Sequence, residues 1–302
     1  MPKLFTLSEA ISRFVPDGSS VALGLALEGL IPFAAGHEII RQKVRDLTLI
    51  GPISDMLFDQ IIGAGCARRV IAAWVGNVIT GSGYNFRRAV EGRQIEVEDH
   101  SNLSVTMALL AGSLGIPFMP LRSALGTDLF QTNPAFKEMT CPYTGQKLAT
   151  VTALNPDVTI VHVQRADEEG NAHLWGNTGI SKVAAQAARH VIVVAEEIVG
   201  REVITSDPNR TFLPGFRVSA VVHEPWGAHP SPVPGYYRRD HQRFVDYSAQ
   251  TKTTDGFQQW LEHWVLGVAD RSEYCRRLLG KEGMDRLRLT VHAPSTPVDY
   301  GY

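Results

Sequence analysis

Cysteine is scarce and scattered. Cys66, Cys141 and Cys275 are the 3 in 302 residues, and no two form a Cys-x-x-Cys pair. That argues against a disulfide framework or a zinc knuckle and fits reduced thiols in a cytoplasmic protein. Net charge is nearly absent too. Lys and Arg number 29 against 31 Asp and Glu, a formal charge of -2, so bulk electrostatics gives no reason to expect nucleic acid or membrane partners. No apolar run approaches the roughly 18 residues of a spanning helix. Residues 1–10 carry Glu9 and lack the apolar core of a signal peptide. Several catalytic signatures are missing. There is no Gly-x-Ser-x-Gly elbow and no Walker loop, and Gly81-Ser82-Gly83 is too short for a dinucleotide fingerprint. The 10 histidines include no His-x-x-x-His. A metal pair at His162 and His173 is disfavoured because metal ligands usually sit closer in sequence.

What is present is a globular composition, 44% hydrophobic and 20% charged, which rules out extended disorder. Residues 1–280 read as a single domain and 281–302 as a tail, frayed from 290. The chain is organised around residues 21–32. An apolar run leaves the Pro16-Asp17-Gly18 turn as a buried strand, breaks at Gly24, and passes through a loop containing Gly29. Pro32 then opens a helix with apolar spacing at Phe33, Ile39, Ile40 and Val44. Strand, glycine turn and helix place backbone N–H groups where they can hold an anion or a polar substrate end. An ordinary first βα turn has the same pattern.

Further units repeat the rhythm. Thr6-Leu7-Ser8-Glu9 is a capping box. Strands are expected at 47–50, 69–75, 95–98, 157–163, 190–195 and 218–222. Helices are expected at 54–62, capped by Ser54-Asp55, and at 85–90, 102–114 and 180–189. Residues 171–176 pair as a hairpin with the strand before them. This alternation predicts an open, mostly parallel α/β sheet with helices on both faces. Ligands in such sheets sit beyond the carboxyl ends of the strands, so 24–28, 76–84 and 99–102 should gather at one edge. Residues 122–150 lose the pattern and read as a long irregular excursion. Residues 224–237, with four prolines and two glycines, read as a rigid surface arm. C-terminal helices are expected at 257–268 and 274–279. Glu196 and Glu197, adjacent on a strand, should point to opposite faces.

Four stretches together resemble the alpha subunit of a class I coenzyme A transferase, of the glutaconate CoA-transferase type. They are Asp17-Gly18 leading to Gly24 and Pro32; Gly115-Ile116-Pro117-Phe118 with Arg122-Ser123; His162 to Asp167 with Gly170-Asn171 and Trp175-Gly176; and Pro225-Trp226-Gly227-Ala228-His229-Pro230 with Tyr236-Tyr237. The resemblance runs to about Leu279. This chain departs from the family at Leu25-Ala26, where Gly-Phe is frequent, and at Leu30, where another Gly often precedes Ile-Pro.

The resemblance implies transfer of CoA from an acyl-CoA donor to a carboxylate acceptor, with CoA thioesters as substrates and no permanently bound cofactor. A glutamate attacks the thioester, and that glutamate belongs to a separate beta subunit. No Ser-Glu-Asn-Gly type motif occurs here, so no catalytic nucleophile is expected on this chain, which supplies the facing wall of the pocket. Candidate substrate-binding residues are Gly24, Glu28, Gly29, Ser82, Glu98, Ser101, Asn102 and Arg122. Backbone N–H groups near Gly24 would hold an oxyanion. Related ketoacid enzymes carry a glutamine at the position of Asn102. Arg122 would pair a carboxylate bidentately. Other readings stay open: Ser101 or Asn102 caps the following helix, Glu98 is the polar face of its strand, Glu28 is a solvated loop carboxylate, and Arg122 belongs to a structural ion pair. Two other functions also remain: a ring-cleavage hydrolase of CoA thioesters, disfavoured by the lack of an acid near Asn102, and a non-catalytic CoA-binding subunit.

Overall fold

The computed structural model describes residues 3–289; the tail expected at 290–302 lies outside them. Eight parallel strands form the main path of a ten-stranded sheet. Their spatial order is Leu4–Phe5, Ala220–His223, His190–Ile198, Val158–Ala166, Ser20–Ala22, Leu47–Ile53, Ala67–Trp74 and Glu96–Asp99. Chain order runs outward in one direction from Ser20–Ala22 and in the other from Val158–Ala166 as far as Ala220–His223, beyond which the first strand, Leu4–Phe5, returns to close that edge. The neighbours Ser20–Ala22 and Val158–Ala166 therefore form a topological switch point, and the crevice at their carboxyl ends is where such sheets receive ligands. Ala172–His173 extends the sheet, pairing antiparallel with the end of Val158–Ala166 as the expected hairpin.

Central strands are buried on both faces, which explains their nearly continuous apolar runs. Ile160, Ile192 and Val194 join a core under the helices Leu7–Phe14, Phe33–Arg41, Asp55–Gly63 and Thr254–Leu261. Val161, Val163 and Val193 face a second core closed by the helices Asn102–Leu114 and Ser181–Ala187. The Thr6 capping box forms: the Glu9 N–H donates to Thr6 Oγ1 (3.2 Å), and the Thr6 N–H donates to Glu9 Oε2 (2.9 Å).

Four expectations need correction. Residues 122–150 are not irregular. The strands Phe136–Thr140 and Lys147–Thr152 join Phe118–Leu121 in a three-stranded antiparallel sheet with its own small core at Leu121, Phe136, Ala149 and Val151. Gly145, with φ +71°, lies in the tight turn between the last two strands, where it breaks the pattern without ending the sheet. Residues 224–237 are no surface arm, since Ala228, His229, Ser231 and Val233 are fully buried. Successive turns satisfy the backbone there: the N–H groups of Gly227, His229 and Ser231 reach the carbonyls of Glu224, Trp226 and Ala228. Arg271, from the helix Arg271–Asp285, closes over the segment by donating to the Trp226 carbonyl (2.9 Å). Ser54 makes no cap bond, and its hydroxyl instead donates to the Leu23 carbonyl (2.9 Å). Residues 76–84 are partly ordered as a hairpin, Gly76–Asn77 against Gly81–Ser82. The last helix also continues past residue 280.

Candidate functional site

The turn after Ser20–Ala22 is an arch with a strained backbone. Gly24, Leu27 and Leu30 have φ values of +68°, +60° and +56°. Of the seven non-glycine residues with left-handed φ among the described residues, Leu27, Leu30, Asp55 and Trp226 lie at this carboxyl edge. Strain of this kind costs roughly 1–3 kcal/mol per residue and collects at functional sites. Leu30 stands where the family pattern favours glycine, and it adopts the backbone that glycine would suit. At Gly24 a side chain is excluded, because a Cβ would lie 2.6 Å from Ser54 Oγ.

Neighbouring segments hold the arch from two sides. The Leu30 N–H donates to the Pro232 carbonyl (3.0 Å), and the Ser231 hydroxyl donates to the Glu28 carbonyl (2.5 Å). On the other side the Ile180 N–H donates to the Leu25 carbonyl (2.9 Å). Gly29 lacks the left-handed backbone and turns back to the Ala26 carbonyl (3.3 Å). Among the described residues the N–H groups of Gly24 and Leu25 donate to nothing, although both residues are buried. Orphaned N–H groups in buried positions are rare in native proteins. These two are unpaired donors of the arch at the switch point.

A polar chain connects the arch to the next two strand ends. Arg239 donates to Glu28 Oε2 through Nη1 (2.5 Å) and to Asp55 Oδ2 through Nη2 (3.2 Å). Asn77 Nδ2 donates to both Asp55 oxygens (2.8 and 3.0 Å). Burial pushes the Asp55 carboxyl up to about 6, against the opposing pull of Asn77 and Arg239. Glu28 itself remains partly exposed.

The other candidates fall along the same edge. Ser82 is on the hairpin, its hydroxyl donating to the Val75 carbonyl (3.2 Å). Glu98, Ser101 and Asn102 follow the outermost strand, three strand spacings from the arch, or roughly 14 Å. Ser101 is the helix cap: it exchanges hydrogen bonds with Ser104 (2.9 and 3.0 Å). Asn102 is exposed, and its side chain makes no hydrogen bond among the described residues. Glu98 is buried, not a solvated strand face. Burial pushes its carboxyl up, but the His100 contact (2.8 Å) and the Arg69 guanidinium together hold it below the ordinary value. Arg122 is exposed at the end of Phe118–Leu121 in the small sheet, away from the arch in sequence and in sheet order. The structure thus joins Gly24, Glu28 and Gly29 in one arch, links Ser82's hairpin to it through Asn77, and leaves Ser101, Asn102 and Arg122 outside direct contact with it.

Glu196 and Glu197 do point to opposite faces. Glu196 is buried, holding His162 (2.7 Å), the Tyr237 hydroxyl (2.7 Å) and the Trp226 N–H (2.8 Å). Glu197 is half-exposed and pairs with Arg165 (3.2 Å). His173 donates separately to the Ile204 carbonyl (2.9 Å). Sequence reasoning missed Asn77, Ser231 and Arg239 and took Asp55 only as part of a helix cap. No local pattern marks Arg239, which lies 211 residues from Glu28.

Known proteins are similar to this chain in sequence and fold. The alpha subunit of the 3-oxoadipate CoA-transferase of Pseudomonas knackmussii is 42% identical over 277 residues, covering 91% of this chain and 97% of that one. The alpha subunit of the glutaconate CoA-transferase of Acidaminococcus fermentans is 32% identical over 295 residues, 92% of each chain. The crystal structure of glutaconate coenzyme A-transferase from that organism superimposes with a TM-score of 0.90 over 95% of this chain and 96% of that chain. A variant of the decarboxylase AibA/AibB is also similar, at 30% identity and a TM-score of 0.77 over 86% of this chain and 99% of that one. The coenzyme A transferase family pattern matches residues 5–224, and the chain belongs to that family as a CoA-transferase subunit of the alpha type.

Proposed function

We propose that this chain works in the cytoplasm as the alpha subunit of a two-chain enzyme that moves CoA from an acyl-CoA to a carboxylic acid. The nucleophilic glutamate is on a separately encoded beta subunit. The observation that carries this reading is the unpaired N–H pair of Gly24 and Leu25 beneath the arch. Attack of a glutamate carboxylate on a thioester carbonyl places negative charge on its oxygen, and two fixed donors lower that barrier without reorganising. CoA thiolate leaves and a mixed anhydride forms. The thiolate then attacks the glutamyl carbonyl, giving glutamyl-CoA and releasing the first acid. The acceptor carboxylate reverses these steps. Asn102 and Arg122, which lie outside direct contact with the arch, are the candidate amide donor and cation for the far end of the substrate.

Two further features support a partner. The buried carboxylates at this edge, Asp55, Glu98 and Glu196, are each held by two or more donors, which leaves them poorly suited to attack. Around them Leu27, Val78, Ile79 and Leu103 are 38–62% exposed, an apolar rim of the kind that a docking chain covers. The test is co-expression with the adjacent beta chain, an exchange assay between acyl-CoAs and a carboxylate panel, and borohydride trapping. Transfer that needs both chains, with the trapped glutamate on beta, is the expected result. Release of CoA without an acceptor would point to a hydrolase.

A further inference from the structure

The arch needs something to hold it. Its two left-handed leucines and two orphaned N–H groups are unfavourable in an isolated loop, and apart from its own turns the bonds that fix it come from other segments. Those described above are neutral except one. Arg239 spans from Glu28 in the arch to Asp55 at the start of the helix Asp55–Gly63. Its guanidinium is almost wholly buried and lies 4.3 Å over the ring of Phe244. Both Asp55 oxygens in turn accept from Asn77 Nδ2, and Asn77 Oδ1 accepts from the Ile79 N–H (2.9 Å). Three strand-end segments are therefore tied in one chain, two by the guanidinium and the third through Asp55.

We propose that Arg239 and Asp55 are positioning residues for CoA transfer: the chain Glu28–Arg239–Asp55–Asn77 sets the height and direction of the arch, and so aims the N–H groups of Gly24 and Leu25. The kinetic part of this inference rests on the transferase reading. A lysine at 239 would reach one carboxylate and not both, because an ammonium is a point charge and a guanidinium is a fork. The chain also responds to pH. Arg239 and Glu28 are the charged groups facing Asp55, and Asn77 and the Met56 N–H are its neutral donors. Protonating Asp55 relieves its burial penalty on the fold as a whole but removes the charge that Arg239 bridges, so the fold gains stability while the arch should loosen locally as pH falls through about 6.

The experiment uses the alpha–beta complex with Arg239→Met, Arg239→Lys, Glu28→Gln and Asp55→Asn. Amide exchange over residues 23–32 and the separate kcat and KM for acyl-CoA are measured from pH 5 to 8. Arg239→Met should speed exchange in this segment and lower kcat by about 100-fold with a smaller change in KM, on the scale of losing an aligned oxyanion donor. Arg239→Lys should recover part of the kcat, and wild type should show an acid limb that Asp55→Asn flattens. Unchanged exchange and unchanged kcat in Arg239→Met would overturn the proposal. If that variant fails to fold, Glu28→Gln decides on the same two readouts, since it removes only the partly exposed end. If the wild-type complex transfers no CoA, the transferase reading fails, and the exchange data alone decide positioning: faster exchange supports it and unchanged exchange overturns it.

Discussion

Gly24 is constrained twice, by its left-handed backbone and by Ser54 Oγ at 2.6 Å from where a Cβ would stand. Gly24→Ala should therefore displace the arch and its donors. We expect transfer by the complex to fall at least about 100-fold, the scale of one lost oxyanion donor, with a lower Tm measured on the same preparation. A normal rate would show that the Gly24 N–H plays no part in the reaction. At Asp55 the prediction concerns stability against pH. Its carboxyl ordinarily titrates at 3.8 and is raised to about 6 by burial. The folded protein thus holds this proton more tightly than the unfolded chain, and the contribution of Asp55 to stability falls as pH rises through that window. The penalty above it is of the order of 2–3 kcal/mol. Asp55→Asn does not carry it. Urea unfolding should show wild type gaining that much on the variant between about pH 6 and pH 4, and a difference independent of pH would contradict the assignment.

Elements were legible where their signal is local. The Thr6–Glu9 box, the helix Asn102–Leu114 and the apolar runs of the central strands each announce themselves within a few residues, because capping and periodicity act over one or two turns. The small sheet was not legible. Its strands carry exposed Lys137, Glu138 and Lys147, with Lys137 and Glu138 on opposite faces, and its core is only a few residues per strand, so the alternation is short and broken by Pro142 and Gly145. Residues 224–237 misled for a related reason: proline and glycine mark turns but do not say whether the turns are buried. The site was half legible. The glycine turn reads directly, whereas Arg239 meets Glu28 and Asp55 only through the tertiary fold. Phe136 offers a test of whether the small sheet folds with the rest. It is 3% exposed and packs against His100 at 5.5 Å between centroids. Phe136→Ala should cost about 3 kcal/mol in a single urea transition. A separate early transition would mean that the sheet melts alone.

For the whole molecule, the apolar rim at the carboxyl edge makes the clearest prediction. Val78 and Ile79 are 62% and 53% exposed at the hairpin tip. Val78→Asp with Ile79→Asp should leave the Tm of the isolated chain nearly unchanged, since exposed substitutions usually stay within about 0.5 kcal/mol each. The same pair should weaken co-purification with a beta chain. Retained assembly would place the partner on another face. The switch point has a further consequence, for the order in which the chain is made. Its two strands are anchored to each other by Ser20 and Asp157, 137 residues apart. At ribosomal rates of about 5–20 residues per second, Ser20 waits roughly 7–27 s for its neighbour to emerge. Throughout that interval one flank of Ser20–Ala22 is an open, apolar strand edge, and Arg239 has not yet been synthesised to brace the arch. The chemical centre of the molecule thus stays unsealed until the second half of the chain emerges, and for that interval the seam carries an unpaired strand edge open to wrong pairing.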